Sequence, residues 1–374
     1  MIRLSKSIVG NEEALAVKNV LVNDGYLGMG SEVQEFENDI AAFLNIDPEC
    51  VVCVNSGTAA LHLAVEHSIP KNSDVLVPSL TYLSSFQAIS AAGSNPISCE
   101  VYEDSLTIDL EDAERKITSE TKAIMPVHYA SNPGDLEKIY DFAKKYNLRV
   151  IEDAAHAFGC SYNSKKIGSF GDLVCFSFDG IKNITSGEGG AIIAFDKKII
   201  NLLKDARLLS IEKDTNKRFK GKRSWDFDVK YQGYRYHMSN IFAAIGRVQL
   251  KRFVNEFSVK RKKLYDIYKK NLSDCPNIFF QKTNCENEII PHIFPIRVGS
   301  GKRNAIKNIL ELKKIQTGIH YKPNHLLTFF GSGKTSLPIT EKLYDELLTL
   351  PLHPDIKEDE VNFICNIIKK HMKK

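Results

Sequence analysis

Between Val51 and Asp153 the chain alternates short apolar runs with longer amphipathic ones, and this alternation restricts the fold more than any other feature. Strands are predicted at Val51, over Val75–Val77, at Ile97–Glu100, over Lys122–His128 and over Leu148–Asp153. The stretches between them predict helices from Ala59, over Tyr82–Ala92, over Leu110–Ile117 and over Leu136–Tyr146. Strands separated by helices of this length form a mostly parallel sheet with helices on both faces. Such sheets bind ligands beyond the carboxyl ends of their strands, and Ser56, Tyr82, His128 and Asp153 fall at or just after those ends. Ser56-Gly57-Thr58 also opens a helix, so free backbone N–H groups and a positive dipole end are offered there to an anion. Any capped helix can start this way, so the tripeptide carries little weight alone.

A second stretch, Phe176–Ala191, centres on Lys182. Leu173–Phe178 before it and Ala191–Phe195 after it read as buried strands, and Gly180, Gly187, Gly189 and Gly190 punctuate the loop between them. A lysine held near apolar walls has its charged form disfavoured, which frees a nucleophilic amine. The plainer reading of the same residues is a surface lysine in a hairpin loop. Only residues distant in sequence decide between the two.

A length of 374 residues exceeds one ordinary core, and the texture changes near Cys275-Pro276 after a long helical pattern from Ser239 through Tyr268. We therefore expect a large domain over 1–250 and a smaller α+β domain over 251–374. The latter carries strands at Ile290–Val298 and Gln316–Tyr321 and helices at Arg303–Lys314, Thr340–Leu347 and Glu358–Lys373. In the large domain Asn11 is expected to cap a first helix to about Asn23, and Ser31-Glu-Val-Gln34 has capping-box spacing for a second. Gly25–Gly30 between them, with Tyr26, is a flexible connector or a lip over a ligand.

Fifty basic residues against 46 acidic ones are too balanced for nucleic acid to be the main partner. The 212–230 segment concentrates Lys213, Lys217, Arg218, Lys220, Lys222 and Arg223 and reads mostly as a solvated loop, a few of whose cations can meet substrate phosphates. No run approaches a membrane span or a signal peptide, so a cytoplasmic protein is expected. Eight scattered cysteines suit reduced thiols. Cys50-Val-Val-Cys53 has a CxxC spacing but starts a strand, where its thiols point to opposite faces, and no metal site is expected.

Four features now stand in order: Ser56-Gly57-Thr58, Tyr82 after Pro78-Ser-Leu-Thr81, Ile151-Glu-Asp153-Ala-Ala-His156, and Ser177 followed by Lys182 and Gly187-Glu-Gly-Gly190. Together they resemble the DegT/DnrJ/EryC1/StrS family of sugar aminotransferases, from the Gly25-Tyr26 loop to Leu350-Pro-Leu-His-Pro354. The resemblance implies an α/β chain of the aspartate aminotransferase fold, type I, a homodimer, and pyridoxal 5′-phosphate as cofactor with pyridoxamine phosphate as its intermediate form. By the same resemblance Lys182 would bond covalently to the cofactor and Asp153 would pair with its ring nitrogen. Tyr82 would stack on the ring, His156 would lie beside its phenolic oxygen, and Gly57, Thr58 and Ser177 would hold its phosphate. Tyr26, His320, Tyr321 and Lys322 would contact substrate.

The family usually carries Gly-Tyr-Asn-x-Arg-Met where this chain has Gly233-Tyr-Arg235-Tyr-His237-Met238. Arg235 would take the place of an asparagine that reaches the neighbouring subunit's cofactor phosphate, or would turn to a substrate phosphate. The implied reaction moves the amino group of L-glutamate to a nucleotide-linked 4-keto or 3-keto deoxyhexose, carried on dTDP or alternatively on UDP or GDP. The wording around Lys182 and His320 is most similar to 4-aminotransferases acting on dTDP-4-keto-6-deoxyglucose for surface polysaccharides. Lys182 argues against a sugar dehydratase of the same fold, which has histidine there, and Lys182 with Asp153 argues against a non-catalytic regulatory homologue.

Overall fold

A computed structural model describes residues 1–284, 287–331 and 335–372. Seven strands build its main sheet: β1 (Val51–Val54), β2 (Asp74–Pro78), β3 (Asn95–Cys99), β4 (Thr121–Ile124), β5 (Arg149–Asp153), β6 (Leu173–Ser177) and β7 (Gly190–Ala194). Their spatial order is β1-β7-β6-β5-β4-β2-β3. From β3 to β6 all neighbours are parallel, and β7 runs antiparallel between β6 and β1. The mostly parallel sheet expected from the alternation is therefore present. Inserting the antiparallel β7 between β6 and β1 leaves the carboxyl ends of the other six strands on one edge.

The central strands are buried on both faces, which is why Val51–Val54 and Leu173–Phe176 are continuous apolar runs without alternation. One face is covered by α1 (Gly57–Ser68), whose Ala59–Val65 segment is buried all round. Ser56 caps it, its Oγ accepting the Ala59 N–H at 3.0 Å. On the other face Val33, Phe36, Ile40 and Leu44 of the helix Ser31–Leu44 form a buried stripe at helical spacing. Two expected caps are corrected. Glycines, Gly10 and Gly30, cap the first two helices, so Asn11 and Ser31 are first helical residues and neither side chain caps. At the first helix the Glu13 carboxylate accepts the Gly10 N–H at 2.7 Å, taking over what a capping side chain would do.

The long helical pattern is observed as Asn240–Arg252 and Ser258–Leu272, joined by a wider turn over Phe253–Phe257. Beyond it lies a second core, built on a three-stranded antiparallel sheet of β8 (Ile278–Phe280), β9 (Phe294–Val298) and β10 (Leu347–Leu350). Leu264, Tyr268, Ile296, Ile306, Leu348 and Ile364 pack within it, and Ile2 from the amino terminus packs against it. The expected strand Gln316–Tyr321 is instead irregular, with single bridges from Ile315 to Ile2 and from Gly318 to Thr349. Leu347–Leu350, short and apolar, is a strand in place of the expected helix end; a four-residue leucine-rich run has no period to read. The last helix is observed over Glu358–Met372, and its remaining expected residue and the end of the basic tail, 373–374, lie outside the described residues.

Candidate active site

Along the edge where the strands end, a cleft opens. Its walls come from segments that follow five strands: Ser56–Thr58 after β1, Thr81–Ser84 after β2, Val127 after β4, Asp153–His156 after β5 and Ser177–Lys182 after β6. Glu188, just before the reversed β7, and Tyr321 complete it. Gly57, Thr58, Tyr82, Asp153, His156, Ser177, Lys182 and Tyr321, expected from sequence to share a site, are thus brought together.

The amino end of α1 faces this cleft through Gly57 and Thr58. A Cβ at Gly57 would lie 2.7 Å from the Ser177 Cβ and 3.3 Å from its Cα, so only glycine lets the end of β6 come this close to the free N–H groups. Thr58 Oγ1 donates to Ser84 Oγ at 2.8 Å, tying the helix start to the segment that carries Tyr82. An anion meeting this corner finds backbone donors, the positive helix end and the Ser177 hydroxyl.

Asp153, at the end of β5, is 6 % exposed. Its Oδ2 accepts Ser85 Oγ–H at 2.7 Å and its Oδ1 accepts the Ala155 N–H at 3.2 Å. Ser85 is held in turn by Thr81 Oγ1 at 2.9 Å. The carboxylate is therefore oriented from both oxygens, with burial raising the strength of any contact it makes to a cation.

Lys182 sits in a loop pinned at several points. Its N–H donates to Asp179 O at 3.0 Å, Ser186 N–H to Phe178 O at 2.9 Å, and Asn183 Nδ2 to Phe158 O and Ile290 O at 3.2 and 3.1 Å. Burial pushes the Lys182 amine down to about 8, against the pull of Asp153 and Asp179 in the other direction. Near neutral pH a usable fraction of this amine is unprotonated and nucleophilic.

His156 is buried, its Nδ1 facing the Ala130 N–H at 3.4 Å and its Nε2 the Tyr321 hydroxyl at 3.0 Å. Burial first, then the charge of Lys182, holds its ring neutral. Tyr82 is 57 % exposed at the mouth, its ring inclined to that of Tyr321 with centroids 5.4 Å apart.

The other expected residues lie elsewhere. His320 lines a small neighbouring cavity with His292, its Nδ1 2.8 Å from Thr349 Oγ1, and burial pushes it down to about 4. Lys322 is exposed and outside the cleft, as is Arg235, whose backbone carbonyl accepts Asn55 Nδ2 at 3.4 Å. Tyr26 packs its ring under Gly30, and its carbonyl accepts Asn240 Nδ2 at 2.8 Å. His128, although at a strand end, is fully buried 3.1 Å from Glu152 and does not reach the cleft. In the 212–230 segment Asp214–Phe219 is helical, organised by the buried Asp214, which accepts Arg218 Nε at 2.7 Å.

Ser85, Asn183, Asp179 and Glu188 are site residues that sequence reasoning does not find. Ser85 is within its reach, since it stands in the first turn of the helix Leu83–Ala91, which starts directly after the expected cleft residue Tyr82 at the N-cap. Asn183 gives no signal, because its acceptors are 25 and 107 residues away.

The residues fit pyridoxal phosphate: a close-packed anion corner, a buried carboxylate and a desolvated amine share one cleft. Among the described residues no group of three or more His, Cys, Asp or Glu side chains is arranged to hold a metal, and no helix is long and apolar enough to cross a membrane.

Comparison with known proteins agrees with this geometry. A profile of the DegT/DnrJ/EryC1/StrS aminotransferase family matches residues 7–369. An uncharacterized protein, MJ1066, of Methanocaldococcus jannaschii is 34 % identical, over 97 % of this chain and 95 % of that one. A dTDP-4-dehydro-2,3,6-trideoxy-D-glucose 4-aminotransferase of Saccharopolyspora spinosa is 32 % identical, over 99 % and 96 %. The aminotransferase TlmJ of Streptoalloteichus hindustanus superposes with a TM-score of 0.92 at 26 % identity, over 100 % of this chain and 99 % of that one. Relatives of this fold have been solved in PLP and PMP forms. The fold is thus the one expected, and the chain belongs to the DegT/DnrJ/EryC1/StrS family of pyridoxal-phosphate-dependent sugar aminotransferases.

Proposed function

We propose that this enzyme transfers the amino group of L-glutamate to a nucleotide-linked keto-deoxysugar, with dTDP-4-keto-6-deoxy-D-glucose as acceptor and dTDP-4-amino-4,6-dideoxy-D-glucose as product. The observation that carries this reading is the Lys182 amine, lowered to about 8, in one cleft with the doubly held Asp153 carboxylate. Pyridoxal phosphate, when bound there, supplies an aldehyde for the amine to join and a ring that takes up the electrons of a broken C–H bond.

Each side chain then has a task. The Gly57 and Thr58 amides and the Ser177 hydroxyl bind the phosphate and fix the register of the ring. Asp153, held by Ser85 and Ala155, keeps a positive charge on the ring nitrogen. Lys182, once free, takes the proton from the substrate carbon and returns it, a role suited to an amine that titrates near neutrality. Tyr82 would stack on the ring at the mouth and His156 would lie beside its phenolic oxygen. Tyr26, His320, Tyr321 and Lys322 are the substrate-side candidates, although only Tyr321 lines the cleft of a single chain.

We further propose that two copies share their sites, with Arg235 reaching the neighbour's phosphate. The division into 1–250 and 251–374, a cytoplasmic location and a role in O-antigen or other surface polysaccharide belong to the same reading. The relative from Saccharopolyspora spinosa, named for a dTDP-linked 4-keto sugar, supports the choice of nucleotide and position.

The test is incubation with glutamate and a panel of dTDP-, UDP- and GDP-linked 3-keto and 4-keto sugars, followed by mass and NMR identification of the amino product. A 4-amino product from the dTDP-4-keto sugar is expected. Turnover of a 3-keto isomer or another nucleotide in its place overturns the substrate, and no turnover of any sugar overturns the reaction.

A further inference from the structure

Behind the cleft runs a chain of hydrogen bonds through His156 to Tyr321, whose direction the proposed reaction leaves open. Ala130 and Ser131 both adopt left-handed backbone, with φ of 50° and 72°. That conformation costs a residue with a side chain free energy and persists where its surroundings enforce it. Here it turns the Ala130 N–H toward His156 Nδ1 at 3.4 Å, while Ser131 Oγ donates to the His156 carbonyl at 2.6 Å. The loop is anchored by His128, whose N–H donates to the Asp153 carbonyl at 3.0 Å.

A backbone N–H can only donate, so Nδ1 of His156 is the acceptor of this bond. In a neutral imidazole the proton then sits on Nε2. Neutrality is enforced by burial first and then by the charge of Lys182, and the His292 ring lies 4.5 Å away, centroid to centroid. Nε2 is 3.0 Å from Tyr321 Oη, so the tyrosine oxygen accepts there and its own proton is left for another partner. Tyr321 lines the cleft with Asp153 and Lys182, and its ring is flanked by Tyr82 and Tyr129, with centroids 5.4 and 6.4 Å away. Burial keeps its phenol protonated, as a donor and not a base.

We infer that the Tyr321 hydroxyl is a catalytic hydrogen-bond donor aimed into the cleft, and that Ala130 and His156 are the positioning residues that set its direction. The oxygen it meets is that of the substrate ketone. As the attacking amine's lone pair forms the C–N bond, the carbonyl π pair moves onto oxygen, and a fixed donor stabilises the charge that builds there without giving up its proton. The identity of this oxygen rests on the keto-sugar reaction proposed above; the direction of the hydroxyl does not.

Long-range proton–nitrogen NMR spectra of histidine-labelled protein read the tautomer, with the His156 signals assigned by their loss in His156→Gln. An unprotonated Nδ1 and a protonated Nε2 are expected throughout the neutral pH range, and an Nδ1–H tautomer or an imidazolium overturns the inference whatever the reaction proves to be. In kinetics, Tyr321→Phe is expected to lower kcat of the keto-sugar half-reaction about 10²-fold, with KM changed far less, and to slow the glutamate half-reaction much less. Equal slowing of both halves, or of neither, overturns it. Glutamine offers an acceptor oxygen and a donor N–H at the spacing of the two ring nitrogens, so His156→Gln should restore most of the rate lost in His156→Ala; equal rates in the two variants would reduce His156 to filling space. An enzyme inert toward every keto sugar counts against the proposed reaction, and the tautomer then decides the inference alone.

Discussion

Two lysine-bearing loops of this molecule have opposite fates. Around Lys182 the chain is tied by Asn183 to carbonyls of two other segments and by Ser186 to Phe178, and the amine is drawn out of water. In the 212–230 segment Lys213 and Lys230 share Glu212 at 3.9 and 3.7 Å, all three well exposed, and Trp225 is 85 % exposed. Ion pairs of that kind are screened and contribute little. Residue type is the same in both loops. What lowers one lysine's pKa is the packing that denies it solvent, and the anchors of the loop, remote in sequence, supply that packing.

The largest expected effect breaks the comparison outright. Lys182→Ala should lower transamination by at least about 10⁴-fold, the upper range for a positioned proton-transfer group. Wild-type holoenzyme should lose its near-visible absorption on borohydride reduction, and the variant should have no such band to lose. Turnover within tenfold of wild type would return Lys182 to the rank of a surface lysine. Next, Asp153→Asn should cost about 10²–10³-fold in kcat, with Ser85→Ala, which removes only one of its two donors, costing far less. Steady-state assays with glutamate check both.

Asn183→Ala tests the anchor directly. It leaves the Phe158 and Ile290 carbonyls without this donor inside the protein and should cost about 1–3 kcal/mol in urea unfolding, with the amine titrating higher as its loop loosens.

The Lys182 amine also predicts a stability profile for the cofactor-free protein. Its folded value of about 8 lies below the ordinary 10.5, so between those values the unfolded chain binds the proton and the folded one does not, and stability rises with pH across that window. Below it the buried ammonium is destabilising. Lys182→Met should therefore be more stable than wild type near neutral pH, on the order of 2 kcal/mol, and the gap should close as pH climbs toward the ordinary lysine value. Thermal unfolding at stepped pH measures it. The smallest effect belongs to the other loop: Lys220→Glu with Lys222→Glu should shift stability by less than about 0.5 kcal/mol. Any rise in KM for a nucleotide-linked substrate should shrink with added salt.

Much of the site is legible in the order of residues alone. Strand ends locate Ser56, Tyr82 and Asp153, and the glycine-bordered loop locates Lys182, because local patterning determines where a parallel sheet presents its ligands. His128 shows where that reasoning stops. It follows a strand as Asp153 does, yet it turns inward to Glu152, and nothing in its neighbours distinguishes the two. Ser85 with Asp153, Asn183 with Ile290, and Tyr321 with His156 are 68, 107 and 165 residues apart. Such pairs leave no periodic trace.

The sequence by itself determined the alternation of strands and helices in the main sheet, the helix start at Ser56–Thr58, the aspartate at a strand end and the lysine in a glycine-bordered loop, since these follow from short-range pattern and capping chemistry. Only the tertiary structure decided that β7 would turn back between β6 and β1, that Tyr321 would close the cleft, and that Lys182 would lose its water. Those outcomes depend on which distant surfaces bury one another, and desolvation is a property of the packed whole that no local run of residues carries.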